Sequence, residues 1–268
     1  MIIDFHTHIF PEEIAESTIN LLAQRGGMTP FTYGESAQLL DSMNKADVDC
    51  SVVLPVVTKP EHFKTVNAFA EQLNTEYNKS DRRIVSFGGI HPDTADYRQE
   101  LDELVKRGFV GIKLHPDYQK RMIDDIRYMR IIEYAMERQL IVSVHAGVDA
   151  GLLTPVHCTP KAAQKVIRTI HPNRFILAHM GGFKMWDEVE ETLVGEDIYF
   201  DTAVAFGYLK EEQFVRIIRN HGCDKILFAT DSPWGGQKES AEALKRMELT
   251  KEEKERILYK NASLLLGL

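Results

Sequence analysis

Short apolar runs alternate with amphipathic stretches along the whole chain. The runs are rich in Val, Ile and Phe, and several are apolar almost throughout, which is typical of strands buried on both faces of a parallel sheet. We predict eight strands, at Ile2–Ile9, Cys50–Val57, Ile84–His91, Val110–His115, Leu140–His145, Arg174–His179, Ile198–Ala203 and Ile226–Asp231.

The amphipathic stretches predict helices, because their apolar residues recur at the spacing of one helix face. Thr159-Pro160 is a typical helix start, and Thr250 with Glu253 three residues later forms a capping box. Gly108 and Gly222 lie where helices are expected to end. The predicted helices are Glu35–Asp47, Glu61–Asn78, Asp93–Arg107, Met122–Arg138, Lys161–Ile170, Trp186–Val194, Lys210–Asn220, Lys238–Met247 and a last one that begins at Thr250.

Eight strands that alternate with helices favour a (β/α)8 TIM barrel, built as a single domain over residues 1–268. An open doubly wound sheet is the alternative, but the G-x-G-x-x-G pattern of that fold is absent after the first strand. Two connections, Phe10–Gly34 and Ala146–Thr159, are longer than a barrel needs. Because the loops after strands lie at the catalytic face of a barrel, we expect these two connections to be lids or walls of a substrate site.

Composition and charge limit which binding partners and which cellular compartment we expect for the protein. The chain has 32 Lys and Arg against 40 Asp and Glu, a net charge of −8, which argues against nucleic acid or an anionic membrane as the main partner. Cys50, Cys158 and Cys223 are widely separated, which is typical of a reducing compartment. The sequence has neither a signal peptide pattern nor an apolar run long enough to span a membrane. We therefore expect a cytoplasmic protein, and a homodimer as the commonest oligomer.

Titratable residues close several of the apolar strands. His6 and His8 end the first strand on the same side, because alternate residues of a strand share a face. Further strands end in Lys113 with His115, in His145, in His179 and in Asp231. The carboxyl ends of all strands of a parallel barrel meet at one face, and buried imidazoles and carboxylates are costly without a partner. The pattern therefore predicts a shared metal ion there.

These motifs together resemble the amidohydrolase superfamily. The motifs are Asp4-Phe5-His6-Thr7-His8, the fifth-strand His145, His179-Met180-Gly181-Gly182, Thr230-Asp231-Ser232-Pro233 and the ending Ile257–Leu268. The nearest branch is the amidohydrolase-2 group of metal-dependent hydrolases similar to aminocarboxymuconate-semialdehyde decarboxylase. The resemblance extends from Met1 to Leu268.

The resemblance implies a ligand set. His6, His8 and His145 would bind the metal together with Asp231, and His179 would lie beside the metal-bound water. Three imidazoles and one carboxylate with a position left for water are typical of a catalytic site for one Zn²⁺, although manganese and nickel accept the same ligands. Asp231 would then accept a proton from the water, and His179 would orient the water or polarise the substrate.

The other candidate residues have two interpretations each. Lys113 either bridges two metals after carbamylation, as in some superfamily members, or binds a substrate carboxylate or a neighbouring carboxylate. His115 lies on the same face as Lys113 and is either a substrate contact or a histidine satisfied by backbone. Phe10 and Trp234 lie near strand ends and are either pocket walls or packing residues.

Three functions are consistent with these features. The first is a metal-dependent hydrolase that attacks an amide, lactone or ester carbonyl of a small substrate. The second is a non-oxidative decarboxylase of a small aromatic or dienoic acid, with Lys113 or Lys184 as cationic candidates for the carboxylate. The third is a non-catalytic metal-binding member of the family.

Overall fold

Nine parallel strand segments at eight positions form the centre of the fold in a computed structural model, which describes residues 1–77 and 79–268. They are β1 (Ile3–Thr7), β2 (Cys50–Val53), β3 (Arg83–Ser86), β4 (Gly88–Gly89), β5 (Gly111–Leu114), β6 (Ile141–Val144), β7 (Phe175–Leu177), β8 (Tyr199–Asp201) and β9 (Ile226–Leu227). Only Phe87 separates β3 from β4, so the pair occupies one predicted strand. All eight predicted strands are confirmed, and each is shorter than predicted.

The first and last strands lie side by side. The hydrogen-bonded order is β1-β2-β3 in one sheet and β4-β5-β6-β7-β8-β9 in the other. Phe5 N donates to Phe228 O at 2.9 Å, and Asp231 N donates to His6 O at 2.8 Å. These bonds join the two outer strands, as the predicted barrel requires.

Twelve helices surround the strands within the described residues. They are α1 (Glu12–Gly26), α2 (Ser36–Ala46), α3 (Phe63–Tyr77), α4 (Tyr97–Lys106), α5 (Pro116–Gln119), α6 (Ile126–Glu137), α7 (Pro160–Ile170), α8 (Trp186–Thr192), α9 (Glu211–His221), α10 (Gln237–Arg246), α11 (Lys251–Glu255) and α12 (Asn261–Leu266). A π-helical turn at Arg256–Lys260 joins the last two. None of the described helices has the length and hydropathy needed to cross a membrane.

All the predicted helices are confirmed, with ends shifted by a few residues. Thr159 caps α7 through its side chain, and Thr250 with Glu253 forms the predicted capping box. The predicted end of the helix that became α3, Asn78, lies outside the described residues.

The long connection Phe10–Gly34 contains a helix, α1, that the sequence analysis did not predict. Two acidic residues, Glu12 and Glu13, form the first turn, where they face the positive end of the helix dipole. The helix ends at Gly27, which has a left-handed backbone with φ of 61°. These start and stop signals were present in the sequence, but α1 buries only Ala15 and Ile19, so its apolar periodicity was weak.

The core has two parts. One cluster lies between the strands and the helices, and the other consists mainly of strand residues such as Phe5, Val52 and Phe87. Ala262 and Leu265 of α12 pack against the second cluster. The metal-ligand candidates thus follow strands that are held in place from both sides.

His221 is a buried histidine at the end of α9. Its ring stacks on Phe200 at 3.9 Å, its Nε2 donates to Ile198 O, and its Nδ1 accepts from Gly195 N. Burial lowers the pKa of His221 to about 4. His221 is therefore a packing residue at the end of α9.

We expect His221 to make stability depend on pH. The pKa of His221 is about 6.5 in the unfolded chain and about 4 in the folded chain. Protonation of His221 therefore favours the unfolded chain, so the free energy of unfolding is highest above pH 6.5 and falls as the pH drops toward 4. In the metal-free protein, the stability difference between wild type and His221→Gln should shrink by about 2–3 kcal/mol between pH 7.5 and 4.5. Urea unfolding at the two pH values measures it, and a constant difference would contradict the assignment.

Candidate metal centre and active-site cavity

Three donor atoms meet at the ends of β1 and β9. His6 Nε2 lies 3.1 Å from His8 Nε2 and 3.2 Å from Asp231 Oδ1, and His8 Nε2 lies 3.0 Å from Asp231 Oδ1. Bonds of about 2.1 Å from a divalent metal place neighbouring ligands roughly 3.0–3.4 Å apart. The spacing and the chemistry of these donors therefore fit a divalent cation.

Asp201, at the end of β8, fixes the ring of His6. Its Oδ2 lies 2.9 Å from His6 Nδ1, and its Oδ1 accepts from the backbone N of His179 and of Ala203. The proton of His6 is thus held on Nδ1, and the Nε2 lone pair is left for a metal. Burial, followed by the charge of Lys113, lowers the pKa of His6 well below its usual value, as a neutral ligand requires.

Sequence reasoning missed Asp201, although a signal was present. Asp201 is a fully buried carboxylate near the end of an apolar run, like the other site residues. The run was predicted to continue to Ala203, so its end looked apolar.

Asp4 positions Asp231 from the other side. The buried Asp4 carboxylate accepts hydrogen bonds from Thr230 N at 3.0 Å, Thr230 Oγ1 at 2.6 Å and Gln237 Nε2 at 2.8 Å. Asp231 follows with a left-handed φ of 62°. Burial alone would raise the pKa of Asp231, but His6 and His8 outweigh it and lower the pKa to about 2. Asp231 is therefore ionised near neutral pH, as a metal ligand must be.

Lys113, on β5, is fully buried beside these donors. Its Nζ lies 3.2 Å from His6 Nε2. Burial lowers the pKa of Lys113 to about 8, although Asp201 and Asp231 oppose the shift. No carboxylate oxygen of the described residues lies within ion-pair distance of Nζ. An anionic ligand would therefore find an ammonium without a direct ion pair there.

His145 is not part of the His6, His8 and Asp231 group. Its Nδ1 lies 3.0 Å from His179 Nε2, while His179 Nδ1 donates to Ala203 O at 3.0 Å. The role of His145 as fourth ligand thus stays a prediction.

Two buried atoms near His145 lack a hydrogen-bond partner. They are His145 Nε2 and Asp117 Oδ2, which face each other across 3.9 Å. Asp117 Oδ1 is held by the backbone N and Nδ1 of His157. A proton on His145 Nε2 would point toward Asp117 Oδ2, beyond hydrogen-bond distance, and would leave the Nδ1 lone pair for a metal once the ring turns from His179. Asp117 lies on α5, a turn that the sequence analysis did not predict.

His115 belongs to a different part of the site. Its ring stacks on His145 at 4.1 Å, its Nδ1 accepts from Tyr118 N, and its Nε2 lies 3.6 Å from Asp149 Oδ2. His115 caps α5 through its side chain, which agrees with the backbone interpretation, and it also faces the cavity. Its role as a substrate contact stays a prediction.

The donor residues line a cavity of about 380 Å³. Phe10 and Trp234 line it, as do Lys113 and His115. Both long connections contribute walls, as predicted, the first through α1 and the second through residues 148–151. Lys184 does not line the cavity and instead lies over the rings of Phe183 and Tyr208.

Comparison with protein families gives one match. The family model described as Amidohydrolase matches residues 3–268, nearly the whole chain. No curated protein matches the chain.

Solved structures with the same fold include an uncharacterized TIM-barrel protein from Bordetella bronchiseptica, with 17% identity, a TM-score of 0.79 and coverage of 99% of this chain and 98% of that one. The 2,6-dihydroxybenzoate decarboxylase from Rhizobium has 17% identity, a TM-score of 0.71 and coverage of 99% and 98%. A dihydroxybenzoic acid decarboxylase from Polaromonas, with bound manganese and the inhibitor 2-nitroresorcinol, has 16% identity, a TM-score of 0.71 and coverage of 100% and 97%. At these identities the likeness shows the fold alone.

Replacing Asp201 with Asn tests how the metal ligands are oriented. The two backbone N–H groups would keep the amide oxygen at the Oδ1 position, so the NH₂ would face His6 and move the ring proton to Nε2. We expect divalent-metal affinity to fall about 10- to 100-fold, measured by calorimetric titration with Mn²⁺ or Zn²⁺.

The matched control is Asp187→Asn, because Asp187 is exposed and its side chain bonds, among the described residues, only to Gln213. It should bind metal as the wild type does. Equal affinities for the Asp201 variant and the wild type would show that Asp201 does not set the His6 tautomer.

Proposed function

The chain belongs to the amidohydrolase family, and from that premise we propose that it is a divalent-metal enzyme that decarboxylates a small monocarboxylic acid without an oxidant. The single observation that carries the choice of reaction is Lys113, a fully buried ammonium beside the metal donors. His6, His8 and Asp231 would hold the metal, and His145 would be the fourth ligand through Nδ1. Manganese is bound in two of the structurally similar decarboxylases, and zinc accepts the same donors.

Lys113 is suited to bind a carboxylate. A buried ammonium without an ion pair is costly, and an anionic substrate removes that cost when it binds. A neutral ester or amide would leave the charge of Lys113 uncompensated. The charge of Lys113 therefore favours an acid over a neutral carbonyl compound.

The cavity walls favour loss of the carboxylate. Among the described lining residues, apolar side chains predominate away from the donors. The part of the substrate that carries the carboxylate would pack against these walls and exclude water from the carbon that loses CO₂. Several other similar structures are decarboxylases of dihydroxybenzoate or 5-carboxyvanillate, which agrees with this direction.

The reaction needs one proton. The bond between the substrate carbon and its carboxylate breaks, the electron pair stays on the carbon, and a proton takes the place of the departing CO₂. His179 lines the cavity, and once His145 Nδ1 turns to the metal, His179 Nε2 is free to hold the proton within reach of the substrate. The bound metal would supply a Lewis acid that fixes a polar group of the substrate and stabilises developing negative charge.

Hydrolysis of an amide, lactone or ester is the second candidate. It is favoured by Asp231, whose pKa of about 2 keeps it ionised next to the metal donors. An ionised carboxylate in that position can accept a proton from an attacking water.

Isotope labelling separates the two reactions. Manganese-loaded protein is incubated in D₂O with a panel of aromatic and dienoic acids labelled with ¹³C in the carboxyl group, and with their ethyl esters in H₂¹⁸O. We expect ¹³CO₂ from at least one acid and one deuterium on the carbon that lost it, both detected by mass spectrometry. Incorporation of ¹⁸O into ester products without CO₂ from any acid would contradict decarboxylation.

Two lysine variants make the test specific. Lys113→Met should retain metal and lose at least 90% of CO₂ release at substrate concentrations below KM, since loss of a charged partner weakens binding of a carboxylate by about 1.5–3 kcal/mol. Lys184→Met should release CO₂ as the wild type does, because Lys184 does not line the cavity. Equal CO₂ release by the two variants would show that Lys113 does not take part in the reaction.

A further inference from the structure

Beyond the donor atoms, the cavity is bordered by two helices. On α1, Ile14, Thr18 and Leu22 line it at intervals of four residues, which places them on one helix face. On α3, Val66 and Phe69 line it from a second helix. We refer to the part of the cavity bordered by these five residues as the tail chamber.

The tail chamber differs from the donor end in charge. The charged and imidazole side chains that line the cavity all belong to the metal-donor group or to the neighbouring His115 cluster. Within the described residues, the helix faces of α1 and α3 contribute only apolar side chains and threonines to the lining. Ile14 is 49% exposed, whereas Leu22, Val66 and Phe69 are half-buried, so a second charged group against the half-buried residues would lose water without gaining a partner.

The size of the cavity exceeds what a carboxylate at Lys113 needs. A volume of about 380 Å³ corresponds to roughly a dozen water molecules at about 30 Å³ each. Water against apolar walls makes few hydrogen bonds, so its displacement by hydrocarbon is favourable.

We infer that the tail chamber binds the uncharged hydrocarbon tail of a monocarboxylic acid whose carboxylate lies at Lys113. The inference rests on the proposed function for the position of the carboxylate. It adds that the substrate is charged at one end only, and that its apolar end lies between α1 and α3. Leu22 and Ile14 thus determine specificity for the tail.

Chain length tests the tail chamber through binding alone. Manganese-loaded protein is titrated calorimetrically with pentanoate, heptanoate and nonanoate. We expect Kd to fall about threefold to fourfold for each added CH₂. Nonanedioate, which has the length of nonanoate but a second carboxylate, should bind at least 100-fold more weakly than nonanoate.

Two neighbouring leucines of α1 provide a matched pair of variants. Leu22 lines the cavity and is half-buried, whereas Leu21 is 47% exposed and does not line it. Leu22→Asp should weaken nonanoate binding at least tenfold and change pentanoate binding much less. Leu21→Asp should change neither. Retained pentanoate binding shows that the metal end of each variant is intact.

A Kd that does not change with chain length, or equal effects of the two leucine variants, would overturn the tail chamber. Equal affinity for nonanoate and nonanedioate would do the same. Chain-length dependence without CO₂ release from any acid would support the chamber and contradict the proposed reaction. CO₂ release without chain-length dependence would support the reaction and contradict the chamber.

Discussion

The hydrogen bonds of the Asp4 carboxylate are the interaction on which the site depends. They join β1 to Thr230 and Gln237, and so to the segment that follows β9. His6 and His8 continue the chain on one side of this junction and Asp231 on the other. The contacts that bring the first and last strands together therefore also set the spacing of the three metal donors.

A second constraint is the backbone at the strand ends. His179, Met180 and Asp231 have φ values of 60°, 55° and 62°, a left-handed conformation that costs of order 1–3 kcal/mol for each residue without glycine's freedom. Asp201 accepts from the backbone N of His179, while Asp4 fixes the residue before Asp231. The buried carboxylates thus hold the strained turns, and the turns direct the side chains toward one point.

The strand-end residues could be predicted because a single rule applies to them. An apolar run that closes in a titratable residue places that residue at the catalytic face, and the rule found His6, His145, His179 and Asp231. The distances between these side chains, and the shape of the cavity around them, could not be predicted in the same way. The orientation of His145 depends on Asp117, which lies on the short helix α5, and the cavity wall depends on α1, whose apolar periodicity is weak. Both are tertiary effects that a linear pattern does not contain.

The most direct test of the account is anomalous diffraction from crystals of the manganese-loaded protein. We expect a single strong peak within about 2.1–2.3 Å of His6 Nε2, His8 Nε2 and an Asp231 carboxylate oxygen, with His145 Nδ1 turned from His179 toward it. A peak centred among His115, His145 and Asp149, which form a separate candidate group, or no peak at full metal loading, would contradict it.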